Sequence, residues 1–191
     1  MRDWVFGLDS LKFKYRYCTL LLLAFLGLAS AFTYSYLPDY LSSKMSRQLS
    51  KTFGKKSVFE EQKLPDSLNV NHSLFSISQA DTISGYAIIS RALGCQIGGC
   101  ETPTPSKQAF EQFYFVTVFD KKKNIKCVRV LEYTSDHGYQ IANKGWLKQF
   151  EKGSHFKVGT NVDGISGATI SVNSITEGVN KQLQIMSETV K

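Results

Sequence analysis

Phe113-Tyr-Phe-Val-Thr-Val-Phe119, Asp120-Lys-Lys-Lys-Asn124 and Ile125-Lys-Cys-Val-Arg-Val-Leu-Glu-Tyr133 read in succession as strand, turn and strand. The first is dense in aromatic and β-branched residues, which suit a pleated, packed surface, so it is expected to be well buried. The middle segment is charged and short, and the lysine run Lys121, Lys122 and Lys123 is that of a solvated turn. In the third, Ile125, Cys127, Leu131 and Tyr133 fall on one face under strict alternation, interrupted by Arg129. An antiparallel hairpin is therefore expected at the centre of the fold.

Upstream of the hairpin, Ser73 to Ser78 and Ser84 to Ser90 read as short strands, and a loop rich in Gly, Cys and Pro runs from Gly94 to Pro105. Downstream, Trp146 to Phe150 suggests one or two helical turns. The clearest helix closes the chain, with Ile175, Val179, Leu183, Met186 and Val190 keeping the three-and-four spacing of one apolar face. Ser174 with Glu177 has the form of a capping box, and a helix start nearer Thr169 is the alternative reading. Strands followed by a closing helix give an α+β class, an antiparallel sheet with the C-terminal helix packed on it.

The N-terminus is of another kind. Tyr17 to Pro38 carries no charge, and Arg2, Lys12, Lys14 and Arg16 precede it. A run of about 20 apolar residues behind basic residues is expected to be one transmembrane helix with its leading flank in the cytoplasm. Ala29-Ser30-Ala31 has the small-x-small form of a signal-peptidase site, so a cleaved signal peptide is the competing reading. Both readings carry the rest of the chain across the membrane. The expected organisation is a cytoplasmic N-terminus at 1–16, a transmembrane helix at 17–38, a stalk or linker at 39–65 and an extracytoplasmic domain at 66–191. Within the stalk, Leu41, Met45, Leu49 and Phe53 recur every fourth residue, as in a short amphipathic helix or packing arm.

The 191 residues carry a formal net charge of +7, and 42% of them are hydrophobic, which is enough for one domain and an appendage. The cations are scattered, and no zinc-finger spacing, helix-turn-helix pattern or RNA-binding aromatic motif accompanies them, so nucleic acid is not an expected partner.

Just before the last helix stands Asp163-Gly164-Ile165-Ser166-Gly167-Ala168-Thr169. The small residues Gly167 and Ala168 leave room for another group to approach the backbone. Thr169 presents a hydroxyl near a helix N-terminus, whose unpaired N–H groups and positive partial charge suit a phosphate. An ordinary turn and cap is the bland alternative.

Asp163, Ser166, Gly167, Ala168 and Thr169 match the flavinylation signature of the FMN-binding domain family, which the chain resembles over Ser84 to Val190. Similar members are the G subunit of Rnf electron-transport complexes and the C subunit of the sodium-translocating NADH:quinone oxidoreductase. The resemblance implies FMN joined to Thr169 through a phosphoester, made outside the cytoplasm by a flavin transferase using FAD and magnesium. It implies that Thr169 displaces AMP from FAD, with Asp163 orienting the loop, engaging the metal or merely capping the helix.

Many members have Glu-Thr-Pro-Gly-x-Gly after the second hairpin strand. Here Tyr133-Thr134-Ser135-Asp136-His137-Gly138 keeps only Thr134 and Gly138, which argues against membership of an Rnf or sodium-pump complex. His137 stands where it would donate to a flavin carbonyl or relay a proton, or be a surface histidine with no role. Tyr133, Tyr139 and Trp146 are candidates to stack on the ring or to pack the core.

The expected function is that of a membrane-anchored flavoprotein. It would pass electrons from a membrane redox partner to an extracytoplasmic acceptor, with membrane lipid around its anchor. A reductase acting directly on a small substrate and a flavin-free tethered adaptor are the alternatives. Cys95 and Cys100 bracket Gln-Ile-Gly-Gly, and in an oxidising compartment they are expected to form a disulfide. A redox-active pair and a shared metal site are the competing readings.

Overall fold

The computed structural model describes residues 38–69, 71–96, 110–134 and 137–190. The expected cytoplasmic N-terminus and transmembrane helix fall outside them, apart from Pro38, as does Cys100. Among the described residues no helix is long and apolar enough to cross a membrane.

Helix α1 (Asp39–Phe53) opens the described chain, and strand β1 (Val58–Gln62) follows. After the short helix α2 (Asp66–Asn69) come β2 (His72–Gln79), β3 (Thr82–Gln96), β4 (Phe110–Asp120) and β5 (Ile125–Tyr133). Two 3₁₀ turns, Tyr139–Ala142 and Lys148–Glu151, flank the short helix α3 (Lys144–Leu147), and α4 (Thr169–Thr189) ends the fold. The five strands form one antiparallel sheet in sequence order, each pairing with the next. The expected α+β class and packed C-terminal helix are what the structure has.

β4 is apolar on both sides, and both sides are covered. Phe113, Phe115 and Phe119 pack with Val172, Ile175, Val179 and Ile185 of α4. Val116 and Val118 pack with Leu41, Met45 and Leu49 of α1. The segment at 39–65 thus supplies a helix covering the second face of the sheet, and its first strand. One compact unit runs from Tyr36 to Lys191 and includes both. Near the middle of α4, a Cβ at Gly178 would stand 2.7 Å from the Phe115 ring, so a glycine here lets the helix lie close on the sheet.

The hairpin has its expected ends, but the single apolar face expected for β5 is not found. The β4–β5 register shifts twice, between Tyr114 and Phe115 and between Val118 and Phe119. Leu131 and Lys126 are left unpaired as β-bulges, and each bulge turns the residues beyond it to the other side. Cys127 and Leu131 therefore face α1, while Ile125 and Tyr133 face α4. The turn itself is held by the Asp120 carboxylate, which accepts from the N–H groups of Lys122 (2.8 Å) and Asn124 (2.9 Å).

Candidate functional site

The loop before α4 is positioned from beneath by a short helical segment. The Asn143 side chain caps α3 by accepting from the Gly145 and Trp146 N–H groups at 2.7 and 3.3 Å. This sets Trp146, whose indole N–H donates to the Asp163 carbonyl at 2.9 Å, and whose ring meets Phe150 edge-on at 5.6 Å. Three residues on, the Gln149 side-chain oxygen accepts the Asp163 N–H at 2.7 Å. Asp163 is thus held by its backbone at two points. Its exposed carboxylate has no hydrogen bond among the described residues and does not cap the helix.

From Asp163 the chain turns at Gly167, whose φ of +77° lies in the left-handed region that disfavours any side chain. Nothing stands within 4 Å of where its Cβ would be, so the glycine is required by conformation and leaves open space above the turn. Ala168 is buried in the core beneath α4. Ser166 and Thr169 are exposed.

α4 begins at Thr169, not at a cap on Ser174. Ser174 and Glu177 lie inside the helix, so the expected capping box does not form; Ala168 is the N-cap and no side chain bonds to the first turn. There is also no acidic residue in that turn. Helix N-termini leave N–H donors unsatisfied and carry a positive partial charge, and here no side chain answers either. Val158, Gly164, Ile165, Ser166, Thr169 and Asn173 line a cavity of about 240 Å³ at this end. An apolar wall, two hydroxyls and an uncapped helix end fit the phosphate end of a nucleotide-like group.

The loop after β5 meets the same helix turn. The Tyr133 hydroxyl donates to the His137 carbonyl at 2.6 Å and lies 2.8 Å from the Ser171 hydroxyl, two residues into α4. Burial holds the Tyr133 phenol above its usual pKa range, so it remains a proton donor. Gly138 is buried at φ +81°, and a Cβ there would meet the Tyr133 hydroxyl, the Ser171 hydroxyl and the Cys95 sulfur at 2.6, 3.0 and 3.1 Å. Tyr133 also packs on Phe113, so it serves the framework. Thr134 and the His137 side chain are exposed, as is Tyr139. Cys95 is buried with a free thiol. The structure thus brings Thr169, Ser166, Gly167, Tyr133 and Gly138 to one end of α4.

Residues 112–184 match the family model of the FMN-binding domain. The match covers this segment and not the rest of the chain. The FMN-binding domain runs from β4 into α4 and contains Thr134, His137, Gly138, Asp163, Ser166, Gly167, Ala168 and Thr169. It is shorter than the Ser84 to Val190 expected from the sequence, and β1 to β3 and α1 precede it. No curated protein matches the chain. An FMN-binding domain points to a flavoprotein that takes part in electron transfer.

A larger cavity of about 430 Å³, lined in part by His155, Asn180, Leu183 and Met186, sits farther along α4. At 1.5 Å per residue it is roughly 16 Å or more from Thr169, without a helix N-terminus of its own. Size alone would select it; the uncapped helix end, whose N–H groups suit a phosphate, is at the smaller one. Among the residues that sequence reasoning missed, Asn173 lies one turn after Thr169 on the same face of α4, a spacing that i, i+4 periodicity would have revealed. Gln149 and the Tyr133–Ser171 contact had no such signal.

Proposed function

We propose that the chain is a membrane-anchored carrier that holds FMN covalently on Thr169 outside the cytoplasm and relays electrons between a membrane redox partner and an extracytoplasmic acceptor. The observation that supports it is the exposed Thr169 hydroxyl at the uncapped first turn of α4, inside the segment that matches the FMN-binding domain. The anchor and the compartment rest on the uncharged run from Tyr17 to Pro38.

In this reading the Thr169 oxygen attacks the FMN-side phosphorus of FAD. The pyrophosphate bond breaks, AMP leaves, and the hydroxyl proton passes to a base. A threonine hydroxyl is a weak nucleophile, and a flavin transferase with magnesium would supply the base and the metal. Bound FMN supplies one- and two-electron chemistry. The chain's part is to hold and surround it: first-turn N–H groups on the phosphate, Ser166 and Gly167 at the turn, Val158 and Ile165 as the apolar wall. His137 and Gly138 belong to the adjoining loop.

Co-expression with a flavin transferase tests the reading. Intact mass is expected to rise by that of FMN less one water, with in-gel flavin fluorescence in the membrane fraction. Protease added to intact spheroplasts is expected to degrade the domain. An unmodified mass with no fluorescence would reject the cofactor, and a protected domain would reject the compartment.

A further inference from the structure

We propose that the cleft between α1 and β5 is a binding site for a phosphate-type oxyanion, separate from the flavin site. The cleft encloses about 310 Å³ and lies on the sheet face covered by α1, opposite the face that carries α4. Four cations line it, Lys51, Lys126, Arg129 and Lys144, and no carboxylate does. Gln48, Thr52 and the buried Cys127 complete the lining, with the Gln48 and Thr52 side chains in hydrogen-bonding reach of the Cys127 sulfur. Glu151 acts on that thiol only from outside the lining.

The cations converge from three elements: Lys51 from α1, Lys126 and Arg129 from β5, and Lys144 from the start of α3. Lys126 is the bulged residue of β5. In a regular strand it would point away from the side shared by Cys127 and Arg129; the bulge allows all three to line one cleft. Among the described residues none of the four is in an ion pair, whereas Lys44 and Glu132 do form one. The Arg129 guanidinium donates to the Val128 carbonyl at 2.6 Å and has four further N–H donors.

Lys51 alone is explained by the negative end of α1, in whose last turn it lies. Lys126 also lies 5.9 Å over the Phe53 ring and its charge acts on the Asp120 carboxylate, but neither these contacts nor the dipole account for Arg129 and Lys144. Like charges gathered around one cavity repel, and a multivalent anion relieves that repulsion while accepting several charge-assisted hydrogen bonds. The volume suits a phosphate group with some of its water, at about 30 Å³ per water. A free phosphate or phosphomonoester and a lipid phosphate headgroup share this chemistry.

The test uses the full chain in a non-ionic detergent. Inorganic phosphate is titrated by calorimetry at fixed ionic strength, and monomeric short-chain phosphatidylglycerol is titrated in parallel against phosphatidylcholine. Saturable binding is expected, weakened about tenfold or more by Lys126→Gln with Arg129→Gln and unchanged by the distant Lys157→Gln. Covalent flavin loading should be the same in all variants, so failure here is distinguishable from failure of the flavin reading. Phosphate binding assigns a free phosphate or phosphomonoester, and binding of phosphatidylglycerol alone assigns a headgroup. If the double variant does not fold, the exposed Lys144→Gln carries the same expectation. Absence of binding by both ligands, or binding equal in the variants, overturns the site.

Discussion

Replacing Thr169 by alanine should remove the covalent flavin and leave the fold standing, and the structure allows both halves to be worked out. Thr169 is exposed and is the first residue of α4, and its hydroxyl has no hydrogen-bond partner among the described residues. Its removal therefore strands no buried group. Alanine is the better helix former by up to about 0.7 kcal/mol, while little apolar area is lost from an exposed side chain. The net change in unfolding free energy should stay within about 0.5 kcal/mol. Urea unfolding of the unloaded protein, followed by circular dichroism, reads that half. Flavin fluorescence in denaturing gels and intact mass, after co-expression with a transferase, read the other. Thr169→Ala should give no adduct, whereas Thr169→Ser, which keeps a hydroxyl at the same backbone position, should retain one. A denaturation-resistant flavin in Thr169→Ala would refute attachment there. Destabilisation by more than about 2 kcal/mol would refute the packing argument, because lost loading would then reflect unfolding.

Gly178→Ala should lower the urea midpoint despite a helix-propensity gain of about 1 kcal/mol, since its Cβ would lie 2.7 Å from the buried Phe115 ring and overpacking costs about 1–3 kcal/mol; a raised midpoint would contradict that contact. Gly167→Ala should cost about 1–2 kcal/mol because φ is +77°, whereas Gly164→Ala, with equally open space and no positive φ, should be close to neutral. Equal effects in the two variants would remove the conformational reason for Gly167. His72 is held down to a pKa of about 4, first by burial and then by the charge of Lys181. Its folded pKa lies below the unfolded one, so its contribution is present above about pH 6.5 and is lost as pH falls towards 4. Denaturation midpoints from pH 7 to 4 should fall less steeply in His72→Gln than in the parent, and identical slopes would contradict the assignment.

The sequence was most legible where one local pattern decided the structure. β5 has the boundaries Ile125 and Tyr133 that alternation and the charged turn predict, and the last helix carries its apolar stripe onto the sheet. The two bulges of β5 were invisible, because they depend on how β4 pairs with it rather than on either strand alone. Gly178 weakens the helix by its own propensity, and its reason lies in Phe115, a residue far away in the chain. The Tyr133–Ser171 contact joins residues 38 positions apart, and no spacing rule reaches that far. One long-range feature was readable in principle. A strand apolar on both faces needs cover on both, and α4 can cover only one. The apolar repeat of Leu41, Met45 and Leu49, spaced by four residues, was a helical stripe available to cover the second.

The failure of the Ser174–Glu177 pattern has a physical reason tied to function. A serine followed three residues later by a glutamate stabilises a helix start only where the chain leaves the helix at the serine; here both lie within α4. The true start has an alanine at the N-cap and no acidic residue in the first turn, which sacrifices the stability a side-chain cap gives. The loop into that turn is held instead by contacts from outside the helix, with Trp146 and Gln149 on the Asp163 backbone and Tyr133 beside Ser171. A helix start positioned by its neighbours keeps its own N–H groups available, as a start closed by its own side chain does not. Local rules fail at functional sites because the unsatisfied groups are the ones a ligand must satisfy. In the 163–171 segment, the missing cap and the exposed Thr169 hydroxyl therefore carry one and the same inference.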